Sequence, residues 1–151
     1  MTTQDQQNDV ELIRTGDLLT AIEAAKRIAG YDYPVDQQLI TDLGTILVDR
    51  QNSVQSRIAA AYALGWIDQE GSTESVHWTI ACNPEESLEV RDYAEEALYY
   101  FAQNRRRKQA DTEATSYQDQ SFAEWRKSQE GVLRAGPGQA PSQLLPREET
   151  K

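Results

Sequence analysis

The sequence has little of several residue types on which catalysis and membrane insertion depend. It holds one Cys and one His among 151 residues. One Cys excludes an internal disulfide and any zinc site built from several Cys, and one His leaves few options for base catalysis or metal ligation. Apolar runs are far shorter than the roughly 20 residues that a membrane-spanning helix needs. The N-terminal stretch MTTQDQQNDV is polar and carries no Lys or Arg, so we expect no targeting peptide.

Basic residues are also scarce relative to acidic ones. There are 15 Lys and Arg against 25 Asp and Glu, which gives a formal net charge of −10. The charge is uneven, because residues 1–104 have a net charge of −12 and residues 105–151 have a net charge of +2. This length is typical of about one domain. We expect a small, acidic, cytoplasmic protein that does not enter a membrane.

The hydrophobic content predicts where the folded part ends. Leu, Ile, Val and Phe make up 24 of the 92 residues from 10 to 101 but 5 of the 47 residues from 105 to 151. The second segment has too few of them for a core of its own. We therefore predict a disordered N-terminus over residues 1–9, a folded domain over residues 10–104, and a mostly disordered, flexible tail over residues 105–151.

Apolar residues at helical spacing dominate the domain, and the long alternating runs that are typical of strands are absent. Cap and turn residues divide the pattern into about six helices. Asp17 is predicted to cap the second helix and Pro34 to open the third. Asn52 or Ser53 caps the fourth, and Ser87 caps the sixth. The predicted fold class is all-α, with antiparallel helical hairpins joined by short turns.

The chain also contains an internal repeat of 34 residues. Residues 45–64 align with residues 79–98 without a gap and share seven identities in twenty positions. Several of these identities lie on predicted buried stripes, where small Ala side chains allow helices to approach closely. The stretch IEAAKRIAG at residues 22–30 echoes the pattern faintly and indicates a degenerate first unit. The identical pairs are Thr45/Thr79, Ile46/Ile80, Ser53/Ser87, Arg57/Arg91, Ala60/Ala94, Ala63/Ala97 and Leu64/Leu98.

These residues resemble the HEAT repeat family, whose second helix follows roughly V-R-x-x-A-x-x-A-L-G; PBS-lyase-type HEAT-like repeats are the nearest variety. The chain reads S-R-I-A-A-A-Y-A-L-G from Ser56 and V-R-D-Y-A-E-E-A-L from Val90. Ser56 departs from the usual Val, and Tyr99 departs from the usual Gly. The resemblance covers residues 35–103 well and residues 10–34 poorly. It implies a short solenoid of stacked helical hairpins.

The resemblance further implies that a polar residue in the turn before the second helix bonds to the Arg of that helix. Asp49 with Arg57, and Asn83 with Arg91, fit that description. HEAT-like solenoids mostly serve as binding surfaces. We therefore expect a non-catalytic protein–protein interaction module without a cofactor, acting as an adaptor, scaffold subunit or inhibitor of a larger assembly. Two alternatives are a phycobilin lyase or phycobilisome-handling accessory subunit, and a nucleic-acid-associated HEAT-like protein.

The repeat also suggests a binding surface, because residues 34 apart should occupy equivalent places on neighbouring units. A ridge on the fourth helix and its equivalent on the sixth would combine aromatic and acidic side chains. Aromatic residues are frequent anchors in protein interfaces, and the carboxylates would attract a partner with a basic surface. The alternative is that the aromatic rings pack between helices. The candidate partner-binding residues are Tyr62, Trp66, Asp92, Glu96 and Tyr100.

Two charged clusters have structural explanations as well as functional ones. Acidic side chains near the start of the sixth helix suit the positive end of the helix dipole, and a site for a basic partner is the alternative. The basic run at residues 105–108 suits the negative end of the same helix. We do not expect it to bind nucleic acid, because the body beside it has a net charge of −12. The acidic residues are Glu85, Glu86 and Glu89.

The tail holds one segment with helical signals near residues 121–130. Ser121 followed by Glu124 is a capping-box pattern, and Phe122 and Trp125 follow on one face. Such a short amphipathic helix is unstable alone. We expect it to dock either on its own body or on a partner. His77 and Cys82 are five residues apart, on different sides of a helix, so we expect no joint catalytic or metal site.

Overall fold

The computed structural model describes residues 3–31, 35–114 and 120–133, and over these residues the chain is all-helical without a strand. This confirms the predicted all-α class. The described part contains eight helices, compared with about six predicted. They are α1 (Thr3–Thr15), α2 (Leu18–Ala29), α3 (Gln37–Val48), α4 (Val54–Ile67), α5 (Glu74–Ala81), α6 (Leu88–Glu113), α7 (Phe122–Ser128) and α8 (Glu130–Leu133).

Short polar side chains cap four of the eight described helices, α2, α3, α4 and α7. The carboxylate of Asp17 accepts a hydrogen bond from the backbone N–H of Thr20, and the hydroxyl of Ser53 accepts one from Ser56. Such caps satisfy backbone donors that have no partner within the helix. Ser87 occupies the cap position of α6 but its side chain makes no capping bond. Pro34 lies outside the described residues, and the cap of α3 is Asp36.

The helices pack in the order of the chain. Helix α4 packs against both α2 and α6, while α1, α3 and α5 each pack against the helix that follows. Helix α3 also contacts both α1 and α5. One hydrophobic core runs through all of them, and the Ala-rich stripes of α4 and α6 lie inside it, as predicted. The stripe residues are Ala60, Ala63, Leu64 and Ile67 on α4, and Ala94, Ala97, Leu98 and Phe101 on α6.

The 34-residue repeat is visible in the hydrogen bonds. Arg57 of α4 donates Nε to the carbonyl of Leu47 at 2.8 Å, and Arg91 of α6 donates Nε to the carbonyl of Ala81 at 3.4 Å. In both cases the acceptor is the equivalent residue near the end of the preceding helix. The same side-chain geometry therefore joins α3 to α4 and α5 to α6.

Two further bonds recur at the same offset. In each unit a Thr hydroxyl donates to the carbonyl one helical turn earlier, and a turn side chain accepts from the backbone N–H two residues later. The hydroxyl of Thr45 donates to the carbonyl of Thr41, and that of Thr79 to the carbonyl of Ser75, both at 3.0 Å. The N–H of Gln51 donates to Oδ1 of Asp49 at 2.9 Å, and that of Glu85 to Oδ1 of Asn83 at 3.0 Å. Asp49 and Asn83 thus brace their own turns.

The expectation that Asp49 bonds to Arg57 and Asn83 to Arg91 is wrong. The guanidinium of Arg57 instead forms an ion pair with Glu86. The Oδ1 atoms of Asp49 and Asn83 accept backbone N–H groups within the turns. Asp49 and Asn83 therefore form Asx turns with backbone groups two residues later, and their side chains do not contact the Arg of the following helix.

Within the stretch that the sequence predicts to be disordered, residues 3–9 belong to α1. Asp9 is buried and holds this helix in place. Its Oδ1 accepts Nε and Nη2 of Arg27 at 3.0 and 2.8 Å, and its Oδ2 accepts the hydroxyl of Tyr31 at 2.7 Å. The partners lie on and just beyond α2, so this anchor depends on tertiary contacts.

The boundary predicted at residue 104 also differs from the structure. Helix α6 continues to Glu113 without interruption. Helix α7 follows it in the chain and packs back against it, and α8 contacts α7. Residues 115–119 and 134–151 of the predicted tail lie outside the described residues. Among the helices that are described, none is both long enough and apolar enough to cross a bilayer.

Candidate functional site

The predicted partner-binding residues lie on two adjacent helices, Tyr62 and Trp66 on α4 and the other three on α6. The indole of Trp66 contacts the ring of Tyr100, with ring centroids 5.0 Å apart and planes tilted by 35°. Trp66 remains 46% exposed. Packing between helices therefore covers only part of this aromatic pair, and one side of the indole faces solvent.

The helices approach closely at this point because Gly65 has no side chain. A Cβ on Gly65 would lie 3.2 Å from Cα of Ala97 and 3.3 Å from a ring carbon of Tyr100. Neighbouring side chains would have to shift to accommodate it. The glycine thus sets the distance between α4 and α6, and with it the contact between Trp66 and Tyr100.

The carboxylate of Glu96 and the ring of Tyr100 both have raised pKa values. Burial raises the pKa of Glu96 above its usual range. Burial also raises the pKa of Tyr100, and the nearby Glu96, Tyr99 and Tyr62 raise it further. Tyr62 is half-buried on α4. The ionisation of Tyr100 thus depends on the carboxylate of Glu96 and on its two tyrosine neighbours.

A groove of about 380 Å³ opens beside these residues, between α6 and α7. Its lining combines carboxylates with two aromatic rings. Within the described residues, neither Asp92 nor Glu96 makes an ion pair. The groove also contains the cation Arg126, whose charge interacts with Asp92, so a basic side chain entering the groove would compete with Arg126 for that carboxylate. The lining residues are Asp92, Tyr93, Glu95, Glu96, Phe122 and Arg126.

Sequence reasoning missed Glu95 and its partner. Glu95 is buried, and Nε of Arg126 in α7 donates to its Oε1 at 2.5 Å. This hydrogen bond raises the pKa of the guanidinium. The repeat could have indicated that Glu95 is buried, because its equivalent residue Ala61 is fully buried in α4. A buried carboxylate needs a cation as its partner, and Arg126 in α7 is that cation.

The structure places the predicted tail-docking residues against the chain's own body. Phe122 and Trp125 contact the ring of Tyr99, with centroid distances of 5.5 and 6.0 Å. The Tyr99 hydroxyl donates to the carbonyl of Gln120 at 2.5 Å. Trp125 is 4% exposed. The Tyr that departs from the HEAT pattern thus forms the surface on which α7 packs.

The start of α7 is the capping box that the sequence predicts. Ser121 Oγ accepts from the N–H of Glu124, and the Glu124 carboxylate accepts from the N–H of Ser121, each at 3.1 Å. Beyond it, the thiol of Cys82 donates to the carbonyl of Val132 at 3.4 Å. Both α7 and α8 are therefore tied to the helices before them.

The charged clusters make contacts within the chain. Glu86 pairs with Arg57. In the basic run, Arg105 Nη1 lies 2.5 Å from Oε1 of Glu74, and Lys108 Nζ lies 3.1 Å from Oε1 of Glu70. Lys108–Glu70 is an exposed pair, which contributes little to stability. Together these contacts hold the basic run beside the first residue of α5 and the turn before it.

His77 and Cys82 both have pKa values shifted by burial. Burial lowers the pKa of His77 to about 4, so the imidazole is neutral at pH 7. Its Nδ1 bonds to the carbonyl of Thr73 at 2.8 Å, and its ring packs edge-on against Phe101. Burial raises the pKa of the Cys82 thiol, which disfavours the nucleophilic thiolate. Both side chains contribute to the core.

The candidate site thus has two parts, the half-exposed pair of Trp66 and Tyr100 and the acidic groove between α6 and the docked helix α7. No protein-family model, curated protein or solved structure matches this chain.

Proposed function

We propose that this chain is a non-catalytic, HEAT-like solenoid that binds another protein in the cytoplasm, as an adaptor, scaffold subunit or inhibitor. The proposed binding surface consists of the exposed aromatic pair of α4 and α6 together with the acidic groove beside it, between α6 and α7. Its partner would present a Lys or Arg side chain next to an apolar one. The proposed contact residues are Tyr62, Trp66, Asp92, Glu96 and Tyr100.

The recurring hydrogen bonds support the solenoid. A structural unit that repeats every 34 residues, with the same Arg-to-carbonyl bond in each copy, is typical of stacked helical hairpins. The contacts of α2 with α4 and of α4 with α6 follow the same order. Such stacking creates an extended surface on one side, which most helical-repeat proteins use for binding.

The exposed side of Trp66 is the single observation that carries the proposed function. A Trp that is 46% exposed and held by the ring of Tyr100 5.0 Å away presents a rigid apolar area to solvent. Trp and Tyr lose little side-chain entropy on binding and dominate interface energetics. The neighbouring carboxylates of Asp92 and Glu96 add a charge preference, which supports a basic partner.

Affinity capture with matched variants tests this proposal. The wild-type protein, Trp66→Ala, Asp92→Asn and the control Leu88→Ala are each immobilised and exposed to the same native lysate. Leu88 is 67% exposed on α6 and belongs neither to the aromatic pair nor to the groove lining. A specific partner should bind wild type and Leu88→Ala and should be lost from Trp66→Ala. Removing a central aromatic anchor typically costs about 2 kcal/mol, or roughly 30-fold in Kd.

Salt dependence gives a second measurement on any captured partner. We expect Asp92→Asn to reduce the effect of added salt on the affinity, because one interfacial charge pair is removed. Circular dichroism must show the same helicity for all variants. A partner that binds wild type and Trp66→Ala with equal affinity contradicts the proposed surface.

A further inference from the structure

Apolar side chains are exposed along one edge of the molecule, where α1 and α3 end and α2, α4 and α6 begin. Seven large hydrophobic residues of the described ranges are exposed, and six of them lie in the last turn of α1 or α3 or at the first two positions of the other three helices. The seventh, Trp66, lies at the opposite end of α4. Clusters of exposed apolar residues are typical of interaction sites. The six residues are Leu12, Leu18, Leu19, Val48, Val54 and Leu88.

Three of the six occupy the same place in their helices, because each is the first residue of α2, α4 or α6. Leu18 is 54% exposed, Val54 37% and Leu88 67%. In an α-helix the Cα–Cβ bond tilts toward the N-terminus, so these side chains lean over the edge. The caps Asp17 and Ser53 bond to backbone groups and do not require an apolar neighbour. We call Leu18, Val54 and Leu88 the edge row.

Bonds between neighbouring units hold these three helix starts side by side. At the start of α4, Oγ of Ser56 donates at 3.1 Å to the carbonyl of Arg14, which lies just before α2. The next residue, Arg57, pairs with Glu86, which lies just before α6. The axes of packed helices lie about 8–10 Å apart. Neighbouring members of the edge row are therefore separated by about that distance, and the whole row is about 16–20 Å long.

The same edge has an excess of negative charge. Four carboxylates are exposed in its turns or at its helix starts, and none of them makes an ion pair within the described ranges. The two exposed Arg side chains nearby already face carboxylates, since Arg14 pairs with Glu11 and Arg50 lies 4.0 Å from Glu86. Like charges disfavour a second copy of this chain or an anionic lipid surface on the edge, and they favour a cationic partner. The four carboxylates are Asp17, Asp49, Glu85 and Glu89.

We propose that this edge binds a basic, amphipathic α-helix of another protein, which lies across the starts of α2, α4 and α6. Seven residues of an α-helix rise about 10.5 Å, which matches the spacing of the edge row. Apolar side chains at i, i+7 and i+14 of the partner each contact one member of the row, and Lys or Arg side chains beside them face the carboxylates. Val54 and Trp66 are twelve residues apart on α4, or about 18 Å, so this surface is separate from the aromatic pair and goes beyond the proposed function.

Fluorescence anisotropy of labelled peptides with the full chain tests the proposal. The probe is a helical peptide of Ala and Lys, about 18 residues long, with Leu at i, i+7 and i+14 on one face. The control peptide has the same composition with Leu at i, i+6 and i+12, which lie on three different faces. We expect saturable binding of the probe and at least about tenfold weaker binding of the control, because only the probe brings all three Leu side chains to the edge row.

Variants locate the site. Leu18→Ser and Leu88→Ser should each weaken binding of the probe about tenfold, since each removes one apolar contact. Glu89→Lys should weaken it further and reduce its dependence on salt. Asp111→Lys is the matched control, because Asp111 is exposed near the other end of the same helix and the change in net charge is identical. All four substitutions are at exposed positions, and circular dichroism shows whether each variant is folded.

The results separate clearly. Weaker binding by the edge variants, with Asp111→Lys unchanged, supports the proposed edge. Equal affinity for the two peptides overturns it, as does an equal effect of Glu89→Lys and Asp111→Lys, which would show attraction by net charge alone. A concentration-dependent dimer that Leu88→Ser abolishes would assign the edge to a second copy and overturn the proposed partner. None of these results depends on Trp66, so the proposed function stands or fails separately.

Discussion

Arg57 and Glu86 form a buried, two-point ion pair between neighbouring repeat units. Nη1 and Nη2 of Arg57 lie 2.7 and 2.8 Å from Oε1 and Oε2 of Glu86, and each side chain is 4% exposed. The pKa of Glu86 is lowered mainly by the hydrogen bonds that its carboxylate accepts from Arg57. The pair connects α4 to the turn before α6, so it fixes one unit against the next.

Glu86→Ala should therefore destabilise the protein strongly. It leaves a buried guanidinium whose remaining hydrogen bond, among the described residues, goes to the carbonyl of Leu47. Breaking a buried pair typically costs about 3–5 kcal/mol. Urea denaturation measures the change in the free energy of unfolding. The control is Glu85→Ala, an exposed neighbour, with an expected change within about 0.5 kcal/mol. Equal effects of the two substitutions would contradict a structural role for the pair.

The neutral, buried His77 should make stability depend on pH. Its pKa is about 4 in the folded state, against a usual value of 6.5. The unfolded chain binds the proton more readily, so stability is full above pH 6.5 and falls as the pH decreases toward 4. Between pH 7.5 and 5.5 the expected loss is about 1 kcal/mol.

Urea titrations at these two pH values measure the loss. His77 is the only His in the chain, so His77→Gln should remove most of the pH dependence in this window. Because Gln does not titrate, a variant that keeps the full pH dependence would show that another group is responsible.

Trp125→Ala should release α7 from α6. Trp125 is 4% exposed and packs on Tyr99, and truncation of a buried Trp typically costs about 3–5 kcal/mol. A seven-residue helix cannot persist without this packing. We expect faster trypsin cleavage after Arg126 and Lys127, and faster amide exchange over residues 122–133.

Trp66→Ala is the matched control for this experiment, because Trp66 is 46% exposed on α4. It should leave the cleavage rate at Arg126 and Lys127 unchanged. If wild type is cleaved there as fast as Trp125→Ala, the segment does not dock on the body in solution.

Gly65→Val should separate α4 from α6. The first added carbon alone would lie 3.2 Å from Cα of Ala97, and overpacking of this kind costs about 1–3 kcal/mol. Gly131→Ala is the control, since nothing lies within 4 Å of its added Cβ. There we expect no loss, or a gain of up to about 1 kcal/mol. Thermal unfolding of both variants measures the difference.

Much of the local structure was predictable from single residues. Asp17, Ser53 and the pair of Ser121 and Glu124 mark helix starts because their side chains satisfy nearby backbone N–H groups. Such bonds span two or three residues, so the sequence contains all the information they need. The 34-residue offset predicted which residues are equivalent in the two units. The bonds of Arg57 to Leu47 and of Arg91 to Ala81 obey that equivalence.

The candidate site was predictable in part. The repeat placed Trp66 and Tyr100 on neighbouring helices, and the structure brings them into contact. Sequence reasoning left open whether α7 docks on its own body, because a short amphipathic helix fits many surfaces. It also missed the pairing of Glu95 with Arg126, which are 31 residues apart and belong to no repeated unit.

The sequence by itself determined the all-α class, several helix caps and the repeat, because these follow from bonds between residues close in the chain or from the pattern of the sequence itself. Only the tertiary structure decided which distant groups meet. It ordered α1 through the contact of Asp9 with Arg27, paired Arg57 with Glu86, and placed α7 on Tyr99. Each of these contacts joins residues 18 to 29 positions apart. Their geometry is set by how whole helices pack, which no local pattern specifies.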